Sequence, residues 1–117
     1  MEIIYRNKKV KEVCEDFKKA IKKYGQEVAE KLHQLINWIE AFTNLYDIKM
    51  FPSYRFHLLK GDRKGLYSIT ISKNSKWRLI LYPLDESGEV IKDFSNENIL
   101  LIKSVKVEIV EVSDHYE

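Results

Sequence analysis

The 117-residue sequence predicts an α+β fold: an N-terminal antiparallel helical hairpin packed on a small, mainly antiparallel twisted β-sheet. Three observations predict it. Apolar residues recur at steps of three and four between residues 8 and 42, the period of one helical face. From Leu66 the period drops to two, as in strands with one buried side. The stretch between has no sustained period and is rich in turn residues. Helices followed by strands bury their apolar sides best as a helical layer on one face of a sheet. The length fits a single domain over residues 1–117. A chain of this size buries roughly two thirds of its unfolded surface, so it needs neither disulfide nor metal to fold.

Taken in order, Ile3, Ile4 and Tyr5 suit a short edge strand. Val10, Val13, Cys14, Phe17, Ala20, Ile21 and Tyr24 mark a helix over 8–24, with Asn7 as its N-cap and Gly25 as its stop. Val28, Ala29, Leu32, Leu35, Ile36, Ile39 and Phe42 mark a second helix. A join this short forces the two helices antiparallel. Residues 44–65 hold Pro52, Ser53, Gly61, Asp62 and Gly65 and read as a long connection with a short helical turn at its start. Long irregular loops in compact domains tend to be functional. LYSITI (66–71) sets Tyr67, Ile69 and Ile71 on one face against Ser68 and Thr70. SKNSK (72–76) is turn chemistry. WRLILY (77–82) sets Trp77, Leu79 and Leu81 against Arg78, Ile80 and Tyr82, which completes a hairpin. Residues 83–98 form a polar excursion with Val90 and Ile91 as weak strand residues. ILLIKSVKVEIVEV (99–112) is strongly strand-prone, most clearly in the alternation of Val105, Val107 and Ile109 with Lys106 and Glu108.

Cys14 is the only cysteine, which excludes an internal disulfide and a multi-cysteine zinc site. The opening MEIIYRNKKV carries an early acid and a very short apolar run, unlike a signal peptide. No apolar run approaches the roughly 20 residues of a membrane span. A cytoplasmic protein without a membrane partner is therefore expected. Net charge is only +2, but residues 55–78 carry seven cations against one anion, while residues 79–117 carry three against nine. Cations gathered in this way suit a nucleic-acid footprint. A solvated surface balanced by the acidic last third is the alternative.

The basic segment contains FHLLKGDRKG (56–65), a histidine, three cations and two glycines just ahead of a strand. It matches neither the P-loop nor the dinucleotide fingerprint. No histidine pair has ligand spacing, and Asp62 and Asp114 stand alone, so no metal site and no cofactor is expected. RNA can be cut without either. Its own 2′-OH attacks the neighbouring phosphorus, and the protein must remove one proton, supply another and stabilise the added negative charge. An imidazole suits either proton transfer near neutral pH, and a guanidinium presents fixed planar donors to phosphate oxygens. His57 lies on the loop before the hairpin, Arg78 at a strand start, and Asp114, His115 and Tyr116 just after the last strand. Such positions can converge on one edge of a small sheet. An ion pair with a carboxylate is the alternative use for Arg78. Lys60, Arg63 and Lys64, with Lys73 and Lys76 in the turn, suit phosphate binding. Tyr67, Trp77, Tyr82 and Tyr116 are candidates to stack on unpaired bases, although residues such as Tyr67 and Trp77 are more often plain core aromatics. His33 lies off the apolar face of its helix and receives no role.

HLLKGDRKGLYSITISKNSKWRLI resembles the central motif of the HigB toxins, within the RelE/ParE superfamily of bacterial toxin–antitoxin systems. The shared pattern is a histidine, then L-K-G-D, a glycine and an aromatic, a strand, then W-R and a further apolar strand. It is contiguous over roughly residues 56–82, with the helical hairpin before it and the V-E-I-V strand after it in the expected order. The resemblance implies a microbial-RNase-like fold. It also implies a toxin that enters the ribosomal A site and cleaves mRNA there. Its expected partner is a HigA-like helix-turn-helix antitoxin, through which alone it would meet DNA. His57 takes the place of the motif histidine and Arg78 that of the arginine after tryptophan. The family often ends in Asp-Tyr-His. Here the order is Asp114-His115-Tyr116, so the base and the acid are open among these groups and His57. The same fold also serves ParE-like toxins, which bind and inhibit DNA gyrase without catalysis. A degenerate toxin acting only as a binding partner is a third expectation.

Overall fold

The computed structural model describes residues 1–61 and 65–114. Its helical layer begins where the side chain of Asn7 accepts a hydrogen bond from the Val10 amide at 2.9 Å and caps α1 (Lys8–Glu15). The single helix expected over 8–24 is two helices. Asp16 takes an extended conformation, ends α1 and caps α2 (Phe17–Tyr24) by accepting from the Lys19 amide. An aspartate side chain competes with helix backbone and favours such a cap. Gly25, at φ 88°, then turns the chain into α3 (Gln26–Ala41). The expected hairpin is therefore α2 against α3, with α1 set off by the break.

The sheet has five strands in the order β1 (Glu2–Tyr5), β5 (Lys106–Ser113), β4 (Arg78–Leu84), β3 (Tyr67–Thr70) and β2 (His57–Leu58). β1 runs parallel to β5, and the other pairings are antiparallel. One face lies under the helices. Ile69, Leu79, Leu81, Val107 and Ile109 are buried there against Leu32, Leu35 and Ile39 of α3. The alternation expected for the hairpin is the one found.

Two segments differ from expectation. Residues 97–103 are not strand but α5 (Glu97–Lys103), capped by Asn96, whose side chain accepts from the Ile99 amide at 3.1 Å. A short apolar run is ambiguous by period alone. Here the cap and the burial of Leu100 and Leu101 beside α4 (Tyr46–Lys49) decide for helix. The connection before the hairpin carries α4, as expected, and also a 3-10 turn (Pro52–Tyr54) and the two-residue strand β2. Among the described residues no helix is long and apolar enough to cross a membrane.

Within β5 the pairing with β4 slips by one residue. Ile80 faces Glu111 and Leu81 faces Ile109, so Val110 is the extra residue of a bulge. The bulge changes the phase of the strand. Val107 and Ile109 face the helices before it, Val112 does so after it, and Ser113 joins Arg78 on the other face.

Two measurements test this account. Asn96→Ala should cost about 1 kcal/mol in urea unfolding, the usual loss for a cap, and no change would mean that 97–103 does not depend on that helix start. Burial first, then the Glu15 carboxylate, pushes the Cys14 thiol up from 9.0 to about 12. The folded state therefore holds a proton that the unfolded state releases above pH 9, and stability falls as pH rises from 9 towards 12. Cys14→Val should retain about 1 kcal/mol more of its neutral-pH stability at pH 10 than the wild type. Parallel losses in both proteins would exclude Cys14 as the cause.

Candidate functional site

The face of the sheet turned away from the helices has an apolar half and a polar half. Ile80 packs with Leu59, Leu66, Tyr82 and Val110 in a small second cluster. Arg6 lies over the Tyr82 ring at 5.5 Å and pairs with Glu108 at 3.0 Å. The polar half is ordered by the strand register. His57 is opposite Ser68, which is opposite Ile80. One step further along the same face Thr70 is opposite Arg78, which is opposite Ser113. Cross-strand partners share a face, so His57 and Arg78 lie on one face. They are two strands and one pleat apart, or roughly 12 Å between Cα atoms, a gap of the size that long side chains and a phosphodiester can fill.

Each of the two is oriented by backbone. The Nδ1 of His57 lies 2.8 Å from the carbonyl oxygen of Arg55. A carbonyl only accepts, so Nδ1 carries the proton and the neutral ring keeps its lone pair on Nε2. Arg78 donates from Nη1 to the carbonyls of Ser75 and Trp77, both at 3.0 Å. Its Nε is enclosed and has no partner among the described residues. Burial first, and then the charge of Arg55, hold the guanidinium pKa below its ordinary value. Among the described residues no carboxylate pairs with Arg78, and the ion pair considered as its alternative use is not found among them.

The remaining candidates divide. Asp114 follows Ser113 at the Arg78 end of the sheet and pairs with Lys76 at 3.4 Å. Lys73 and Lys76 are exposed on the β3–β4 turn at that same end. Lys60 is exposed beyond β2 in the other direction, about five residues or roughly 17 Å along the sheet from the Arg78 level. The cations thus line the length of the edge instead of meeting at one point. Arg63, Lys64, His115 and Tyr116 lie outside the described residues. Tyr67 is fully buried and stacked on Phe56 at 4.7 Å, and Trp77 packs edge-on against Tyr24 at 4.6 Å. Both are core aromatics, and base stacking falls to neither in this arrangement. Among the described residues no three His, Cys, Asp or Glu side chains are grouped to hold a metal ion.

Arg55 was not singled out in the sequence, yet it supplies the carbonyl that orients His57 and the charge that acts on Arg78. Its place in the basic segment, two residues before His57, was the available clue.

A five-stranded sheet with helices on one face, and an imidazole, a guanidinium and a line of lysines on or beside the other, defines a small α+β protein with a basic sheet surface. The chain matches the family described as the RelE-like toxin of the type II toxin–antitoxin system HigB over residues 4–100. It belongs to that family, and a toxin of this type implies an antitoxin partner. The matched span ends within α5, before β5. Among solved structures it resembles a YoeB/ParE toxin from Agrobacterium tumefaciens, with 18% identity and a TM-score of 0.50 over 99% of this chain and 100% of that one. That likeness concerns the fold. No curated protein sequence matches the chain.

The His57 tautomer can be read directly. In nitrogen-15 spectra above the imidazole titration, Nδ1 should carry the proton and Nε2 the lone pair. The opposite tautomer would remove the Arg55 carbonyl from its orienting role.

Proposed function

We propose that the protein is an endoribonuclease toxin that cleaves mRNA in the ribosomal A site by attack of the substrate's own 2′-OH, without a metal. The observation that carries this reading is the shared face of His57 and Arg78: among the described residues, Nε2 of the first has no partner and the charge of the second has no carboxylate. Nε2 of His57 is disposed to take the 2′-OH proton or, when protonated, to supply one to the leaving 5′ oxygen. The free edge of the Arg78 guanidinium faces the negative charge that builds on the phosphorane. Asp114 orients, and His115 and Tyr116 supply the second proton-transfer group. Lys60, Arg63, Lys64, Lys73 and Lys76 hold the flanking phosphates. The partner antitoxin is of the HigA type, a helix-turn-helix protein, and the toxin works in the cytoplasm.

The test is expression of the wild type, His57→Ala and Arg78→Ala in cells, with mapping of mRNA 5′ ends. The wild type should cut within translated codons. Loss of a proton-transfer group costs about 10² to 10⁴ in rate, and loss of a preorganised donor about 10² to 10³, so both variants should leave few or no cuts. Cuts persisting unchanged in both variants would end this mechanism. Intact mRNA with inhibited gyrase supercoiling would place the wild type among non-catalytic toxins.

A further inference from the structure

We propose that Arg55 is a second phosphate-binding arginine, and that Arg55 and Arg78 grip one RNA phosphate between their guanidinium groups in front of His57. The inference rests on the reading of this face as an RNA site and adds a residue to it.

The turn before β2 brings Arg55 close to Arg78. β2 starts at His57 opposite Ser68, with Leu58 opposite Tyr67. Arg55 lies two residues before this strand, at the end of the 3-10 turn that packs on β3, and Thr70 of β3 is opposite Arg78. The two arginines thus lie on either side of β3, near enough for the charge of Arg55 to act on Arg78. Two long side chains can close that gap on a phosphate.

The backbone at Arg55 is unusual. At φ 45° and ψ 45° it is the one non-glycine residue with positive φ among the described residues. Left-handed backbone suits glycine or asparagine better than arginine and is found at functional sites. The conformation directs the Arg55 carbonyl onto His57 Nδ1, but a glycine would deliver the same carbonyl. What arginine adds there is its guanidinium.

The charges are unbalanced. Neither Arg55 nor Arg78 takes part in an ion pair among the described residues, and Asp114 is engaged by Lys76. Arg55 is close enough for its charge to depress the Arg78 pKa, after burial. Two like charges held together without a counter-ion oppose one another until an anion sits between them. Guanidinium pairs bind phosphate through parallel N–H donors.

Arg55→Gly tests this, because glycine accepts the backbone and keeps the carbonyl. The probe is a fluorescently labelled, fully 2′-O-methylated hexanucleotide, which has no attacking hydroxyl, titrated by anisotropy at several salt concentrations. Arg55→Gly should bind about tenfold more weakly, the loss expected of one charged hydrogen-bonding group. Its plot of log affinity against log salt should be shallower by about 0.7, the value for one phosphate contact on a single strand. Its thermal midpoint should equal or exceed that of the wild type, and His57 should keep its Nδ1–H tautomer. Arg55→Lys should restore the slope and only part of the affinity. Wild-type affinity and slope in Arg55→Gly, or no measurable binding by the wild type, would overturn the proposal. So would a lowered thermal midpoint with an altered His57 tautomer, which would make Arg55 a structural residue. If the salt slope changes as expected while the wild type leaves mRNA intact in cells, the phosphate grip stands and the nuclease reading falls. If Arg55→Gly binds and cuts like the wild type, the reverse holds.

Discussion

The guanidinium of Arg78 is held by two backbone carbonyls and, among the described residues, by no carboxylate. Much of the candidate site depends on that choice of partner. A half-buried charge needs hydrogen bonds to offset its desolvation. Carbonyl dipoles meet that need without cancelling the charge, whereas an aspartate would meet it and remove the field that an RNA phosphate would feel. The carbonyls are presented by the turn between β3 and β4. Ser75 bonds back to Ser72 through its amide, and its hydroxyl accepts from the Trp77 amide. The turn that joins the strands therefore also fixes the direction of the cation. Lysine would not replace it, because an ammonium has no rigid fork to hold by one side and offer by the other.

The sheet brings the rest to the same place. β4 is central, so its two faces are committed by its neighbours: Leu79 and Leu81 to the helices, Arg78 and Ile80 to the other side. The bulge at Val110 matters for the last strand in the same way. Without the extra residue, a strand whose Val107 and Ile109 face the core would turn Val112 outward and Ser113 inward. With it, the strand finishes with Ser113 beside Arg78 and delivers Asp114 to that end of the sheet. Bulges commonly re-aim side chains next to functional sites.

Much of the fold was legible in the sequence because it is written in periodicity. The Asn7 cap, the turn at Gly25, the inward faces of α3 and the hairpin, and the edge strand at 3–5 follow from spacing and residue chemistry. The break at Asp16 was hidden because the apolar steps continue across it. α5 was hidden because four consecutive apolar residues fit helix or strand, and the Asn96 cap outweighed their strand preference only with α4 packed alongside. At the site, His57 and Arg78 were legible as residue types, but their common face depends on β2, a strand of two residues with no period to detect. Arg55 was hidden for a similar reason. A left-handed arginine leaves no mark in sequence, and the arginine on which its charge acts is 23 positions away.

The parallel pairing of β1 with β5 joins residues about a hundred positions apart. Translation delivers β1 first and β5 after every other strand, so a nascent chain holds an outer strand with no neighbour and a central strand with one side open. The row that contains Arg78 gains Ser113 only when β5 has been made. A product ending before residue 106 would leave β1 without its neighbour and the Arg78 row without Ser113.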